Sequence, residues 1–311
     1  MTQLRHVLIG TTLDEASDAV VRAGVGLARA HGATVTLAHA YQPPGALFVT
    51  PMDAPAVPGD WLAAEAEELA ARLRTQGEGL GLGAADRTEL RPGFPHRVLE
   101  EVANSLPADL VVVGRAAAGR AILGSTSERL LRHLGCPVLV LHPTATYPPR
   151  RVLVALDFSP ISAAAFRRAR QLYGAPETEY EVLFVLNVLE RGAMQFGPEQ
   201  LDRLASDELQ RFVEQHAATA VVGRRVRHGS PSIEILAEIA DWRTDLLVMG
   251  THGRSGFQRL VVGSVAATVV RDAPCSALVV PPHHVTGAGA SAGGADWAFV
   301  GDVAPPAGGT G

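Results

Sequence analysis

The chain contains no lysine; all 27 of its Lys+Arg positions are arginine. A phosphate loop of the Walker type needs a lysine to reach the terminal phosphates. A protein kinase needs its strand lysine, and Schiff-base chemistry needs an amine to condense. Those three classes are excluded by composition. Cysteine is nearly absent as well. Cys136 and Cys275 are too few for a disulfide framework or a thiolate metal centre, and read as small buried apolar residues. The formal net charge of −5 leaves no basic field for nucleic acid or an anionic membrane surface. No apolar run approaches the ~20 residues of a membrane span. His6 enters a strand directly, without the basic region and long apolar core of a secretory signal, so the cytoplasm is the expected location.

What is present is written twice. The chain has 311 residues, 47% of them hydrophobic, enough for two domains with separate cores. The run His6–Thr11 matches Arg151–Asp157 in pattern, with Thr11 read in the place of Asp157. Helical stretches follow at Glu15–His31 and Ser162–Tyr173, then strands at Thr34–Ala40 and Tyr180–Val188, then helices at Trp61–Gln76 and Gln200–His216. The segment Leu90–Pro95 parallels Val226–Pro231, and Ala108–Gly114 parallels Thr244–Gly250. Gly124-Ser125 and a strand from Cys136 parallel Gly263-Ser264 and a strand from Cys275. Strands that are continuous Val/Leu/Ile runs, alternating with helices, predict parallel sheets covered on both sides. The expected architecture is α/β: two tandem doubly wound domains, each a five-stranded parallel sheet with helices on both faces. The boundaries read as 1–142 and 151–284, joined by a stiff linker at 143–150 with Pro143, Pro148 and Pro149. The Gly/Ala/Pro-rich segment 285–311 reads as a disordered tail carrying one apolar patch, Trp297–Val300.

The chemistry concentrates in the second copy. Leu246–Gly250 is an apolar strand that ends in a glycine loop, Gly250-x-x-Gly253, nine residues, Gly263-Ser264, and the loop feeds a helix at Val265–Arg271. Strand, glycine loop and helix N-terminus together aim backbone N–H groups at a phosphate. Gly250, Gly253 and Gly263 let the main chain approach phosphate oxygens without a Cβ in the way. Ser264 is expected at the N-cap, able to cap and to donate to phosphate. Asp157 follows the strand that begins the copy; it serves either as an acceptor for a ribose or adenine donor or as the N-cap of the next helix. Arg254 and Arg259 lie inside the loop and are available to a polyphosphate, and His252 lacks a visible catalytic partner. Gly79–Ala84 satisfies G-x-G-x-x-A, but it follows a helix and precedes a strand, the reverse of a dinucleotide fingerprint, and reads as a flexible connector. The proline-rich stretch 42–59 reads as a surface loop.

With the repeat, Asp157 and this loop in hand, the chain resembles the universal stress protein family in its tandem form over about residues 4–282. The resemblance implies an adenine nucleotide alpha-hydrolase-like fold and, for members with the glycine motif, ATP binding, with Mg²⁺ as an optional companion. By position it assigns Val188 to the adenine, Ala155 to the same pocket, and Met249 and Val265 to the flanks of the phosphate loop. It further implies pairing through the last strands, Val138–Leu141 and Ala277–Val280, as an internal pseudo-dimer, with a homodimer as a further possibility. The first copy departs from the pattern. Thr11 stands for the aspartate, Ala117 for Gly253, and the loop between Gly114 and Gly124 is three residues shorter. The expectation is a degenerate first site and one ATP per chain, held by a regulatory protein rather than an enzyme. A slow ATP hydrolase and an interaction module with a vestigial loop are the alternatives. No catalytic residue, metal site, nucleic-acid partner or membrane partner is expected.

Overall fold

The structure is a computed structural model that describes residues 3–43, 59–115, 126–144, 147–187, 197–216, 221–251 and 263–282. The expected tail and its Trp297–Val300 patch, and most of the proline-rich loop, lie outside the described residues. The elements run β1 (His6–Gly10), α1 (Glu15–Ala30), β2 (Thr34–Tyr41), α2 (Gly59–Gly79), β3 (Arg87–Pro92), α3 (Pro95–Ser105), β4 (Leu110–Gly114), α4 (Thr126–His133) and β5 (Val138–Leu141). The second half repeats them as β6 (Arg151–Leu156), α5 (Pro160–Leu172), β7 (Glu179–Leu186), α6 (Pro198–His216), β8 (Val221–His228), α7 (Pro231–Trp242), β9 (Leu246–Gly250), α8 (Ser264–Asp272) and β10 (Ser276–Val280).

Each half is a parallel five-stranded sheet, and the two halves share one sheet in the order β3-β2-β1-β4-β5-β10-β9-β6-β7-β8. The seam is antiparallel: Ala277 lies opposite Val140, Leu278 opposite Leu139 and Val279 opposite Val138. The last strand of each half would otherwise be an open edge inviting another chain; pairing the two removes both edges internally. Alternate residues of the strands feed two cores. Val7, Ile9, Val152 and Val154 pack with α1, α2, α5 and α6 on one face. Leu8, Leu153, Leu247 and Met249 pack with α3, α4, α7 and α8 on the other. The halves are also tied across the seam. Arg168 is buried and donates to the Asp109 carbonyl oxygen at 3.0 Å, and the His31 ring meets the Leu172 carbonyl oxygen at 3.0 Å.

Local chemistry sets the helix starts. Asp14 caps α1 by accepting from the Ser17 amide at 2.9 Å, and Ser159 caps α5 by accepting from the Ser162 amide at 3.2 Å, with Pro160 at the first helical turn. Between strand and cap, Leu13 (φ 58°) and Phe158 (φ 63°) both take a left-handed turn that side chains with a Cβ rarely adopt. Phe158 is held there by Phe184, whose ring centroid lies 4.5 Å away.

The connector 79–84 is anchored rather than flexible, against the sequence expectation. Leu80 and Leu82 pack on the core. The Asp86 side chain accepts from the amides of Gly83 at 2.7 Å and Val35 at 2.8 Å and pairs with Arg29. Burial alone would raise the Asp86 carboxyl; Arg29 and the two amides outweigh it and hold it below the usual carboxylate range.

Candidate functional site

The strands of the second half run parallel, so their carboxyl ends share one rim. Its strand order places the topological switch between β6 and β9, where open α/β sheets hold ligands. The two strands are in register through Val154 opposite Val248. The paired register ends there; Asp157 lies three residues beyond Val154, and Thr251 three residues beyond Val248.

Asp157 does not cap α5; Ser159 does. Asp157 Oδ1 accepts from the Ser159 amide at 3.1 Å, which fixes the side chain. Its Oδ2 is buried and has no hydrogen-bond partner among the described residues. A buried acceptor without a donor costs about 1–3 kcal/mol, so this oxygen is suited to a donor brought by a ligand.

On the β9 side, Thr251 is buried, and its amide donates to the Val280 carbonyl oxygen at 3.0 Å. Its carbonyl oxygen accepts from the Gly263 amide at 2.7 Å. That bond ties together the two ends of the glycine segment. The sequence reading missed Thr251; its place directly after Gly250 was the available signal. The expectation for Ser264 needs a correction. Gly263 is the N-cap, at φ −53° and ψ 141°, and its carbonyl oxygen receives the Ala267 amide at 3.1 Å. Ser264 is therefore the first residue of α8, one position later than expected, and exposed. Among the described residues no side chain caps this helix. The amides of its first turn, beginning with Ser264, Val265 and Ala266, have no carbonyl of their own helix to bond.

Ala155, Met249 and Val265 belong to a single apolar cluster under α7 and α8. Val188, His252, Gly253, Arg254 and Arg259 lie outside the described residues.

The first half differs here, and not as expected. The amide of Thr34 donates to the Arg5 carbonyl oxygen, and that of Glu179 to the Arg150 carbonyl oxygen. Leu13 and Phe158 share the left-handed turn. This register makes Thr12, not Thr11, the counterpart of Asp157. Thr11 corresponds to Leu156; it is buried and bonded to the Ser17 and Gln76 side chains. Thr12 is exposed, and its hydroxyl donates to the Asp14 carboxylate at 2.8 Å. That hydroxyl is the first cause holding the Asp14 carboxyl below its ordinary value. The first half thus has no carboxylate at this place. Ala117, Gly124 and Ser125 lie outside the described residues.

Among the described residues no group of three or more His, Cys, Asp or Glu is placed to hold a metal ion, and no helix is long and apolar enough to cross a membrane. Burial pushes the thiols up, Cys136 to about 11 and Cys275 to about 12, which makes both poor nucleophiles at neutral pH.

The sequence profile of the universal stress protein family matches residues 3–142 and again residues 148–281. A universal stress protein of Mycolicibacterium smegmatis is 29% identical over 294 residues, covering 89% of this chain and 97% of that one. One from Mycobacterium tuberculosis is 28% identical over 290 residues, covering 88% and 96%. Among solved structures, a universal stress protein from Archaeoglobus fulgidus superposes with a TM-score of 0.64 at 19% identity, covering 90% of this chain and 97% of that one. A functionally unknown protein from Pseudomonas aeruginosa gives 0.61 at 17% identity, covering 91% and 94%.

Proposed function

Starting from a chain that belongs to the universal stress protein family, with the family pattern present twice, we propose that it is an ATP-binding regulatory protein that holds one nucleotide in its second domain. The domains meant are 1–142 and 151–284, both of the doubly wound adenine nucleotide alpha-hydrolase type. The observation that carries this reading is the buried, partnerless Oδ2 of Asp157 on the rim where Gly250 and the uncapped N-terminus of α8 also lie.

Each group has a role that its chemistry suits. Asp157 accepts from a ribose hydroxyl or an adenine amino group, held in place by the Ser159 amide. Val188 meets the adenine, Ala155 lines the same pocket through its backbone, and Met249 and Val265 flank the phosphate loop. Gly250, Gly253 and Gly263 allow the main chain to lie against phosphate oxygens, and the amides from Ser264 onward, which have no carbonyl of their own helix to bond, suit negative charge at the positive end of the helix. Nothing in this set activates a water, so the nucleotide acts as an occupancy signal that shifts the order of the loop, not as a substrate for turnover. In the first domain a neutral threonine hydroxyl, its proton given to Asp14, stands where the second domain has the Asp157 carboxylate, and it is a weaker acceptor for a ribose or adenine donor. The proposed setting is the cytoplasm, with Mg²⁺ accompanying the triphosphate and a homodimer as the next level of assembly.

Native mass spectrometry of the full chain with ATP added tests this. The expected spectrum shows the mass of the chain plus a single adenine nucleotide, and no sustained release of ADP when Mg²⁺ is supplied. A chain that retains no nucleotide under ATP excess overturns the reading, and multiple turnover replaces it with a hydrolase.

A further inference from the structure

The third residue of β7 is out of place for a buried strand. Glu181 lies between Tyr180 and Val182 and is only 2% exposed. It sits on the face covered by α7, where Glu238 is equally buried. The two carboxyl groups are within hydrogen-bonding reach of each other. Opposite Glu181 on β8 stands Gly223, and a Cβ there would collide with the Glu181 carboxyl, so the glycine is what makes room for it.

The surrounding charges are unevenly shared. Glu238 has a close partner in Arg227, which also reaches Asp241 at 2.5 Å and Glu234 at 3.6 Å. Glu181 has only the exposed Arg225, at 3.6 Å from Oε2, and its Oε1 is buried without a donor among the described residues. From β6 its register neighbour is Leu153, and Arg151 on that strand is turned to Glu179 and the Trp242 carbonyl oxygen. As an ionised group, Glu181 would therefore face another carboxylate across a dry gap with one oxygen orphaned. As a neutral acid it can donate to Glu238, and the mismatch disappears. Burial first, and then Glu238, push its carboxyl up to about 7, with Arg225 opposing.

We propose that Glu181 is a proton-binding site built into the second domain: it packs as a neutral acid against Glu238 beneath α7, and losing that proton as the solution goes from mildly acidic to neutral loosens α7 from β7 and β8. The first domain has no such device, because Thr36 and the buried Val102 occupy the corresponding places on β2 and α3. Helices α7 and α8 cover the same face, but Glu181 lies toward the amino end of β7, opposite Leu153, whereas the candidate nucleotide rim is at the carboxyl ends of the strands, so the device does not depend on it.

The sign follows from linkage. Glu181 in an opened segment titrates at the ordinary glutamate value and in the closed fold at a higher one. Its contribution to closure is complete below the ordinary value and is lost as pH rises toward the raised one, by at most tenfold in the opening equilibrium per pH unit. Two measurements on the nucleotide-free full chain test this. Carboxyl carbon NMR of the unaltered protein is expected to give Glu181 a midpoint well above that of exposed glutamates; an ordinary midpoint overturns the proposal. Hydrogen exchange of residues 231–242, corrected for the intrinsic chemical rate, is expected to show opening that increases severalfold per pH unit between pH 5 and 7. In Glu181→Gln, which keeps the donor and removes the titration, that increase should vanish. An equal increase in both proteins also overturns it.

Discussion

Asp157→Ala is expected to weaken ATP binding by roughly 10–150-fold, the equivalent of about 1.5–3 kcal/mol for a charge-assisted hydrogen bond. The substitution should leave the fold largely intact. Ser159 caps α5 through its own side chain, and Asp157 gives the local structure only one bond, to the Ser159 amide. The Oδ2 atom makes none among the described residues, so its removal relieves an orphaned acceptor in the free protein while taking a contact from the complex. Both effects act in the same direction on affinity. Thr12→Ala, the corresponding change in the first domain, should leave ATP affinity unchanged within error. Isothermal titration of the two variants checks the pair. An unaltered affinity in Asp157→Ala would mean the carboxylate does not meet the ligand.

The second large effect is at the seam. Leu139 and Leu278 lie directly opposite each other on β5 and β10, both almost fully buried in the core under α1 and α5. Leu139→Ala and Leu278→Ala should each cost about 2–5 kcal/mol of stability from lost transfer energy and the cavity left behind. Because the side chains share one stretch of core, the double variant should deviate from the sum by about 0.5–3 kcal/mol. Urea unfolding of the four proteins measures this cycle. Two domains joined only by their linker would instead give strictly additive losses, and that outcome would contradict a continuous sheet.

The alternation of strands and helices and the duplication were legible in the sequence, because unbroken runs such as Val138–Leu141 and Ser276–Val280 fit a sheet covered on both faces, whereas the pairing of the two last strands was implied only by the family resemblance. The site was legible in its residue types and not in its registers. An apolar strand has no internal landmark, so matching Thr11 with Asp157 involved a slip of one residue that only the interstrand hydrogen bonds and the shared turn at Leu13 and Phe158 reveal. Serine is a good cap, yet at α8 the cap belongs to Gly263, whose two backbone bonds to Thr251 and Ala267 settle the helix start. The connector 79–84 reads as loose by its glycines, but Asp86, Arg29 and Val35 fasten it through contacts between distant segments that no local pattern encodes. Glu181 was hidden for the opposite reason: following Glu179 at the start of the strand, it looks like part of a solvated strand end until its neighbour across the sheet is seen to be Gly223.

Calorimetric titration of ATP into the intact chain tests the central claim most directly, because it counts sites and weighs them together. The account predicts one site per chain. Two equivalent sites, or no heat of binding at all, would contradict it.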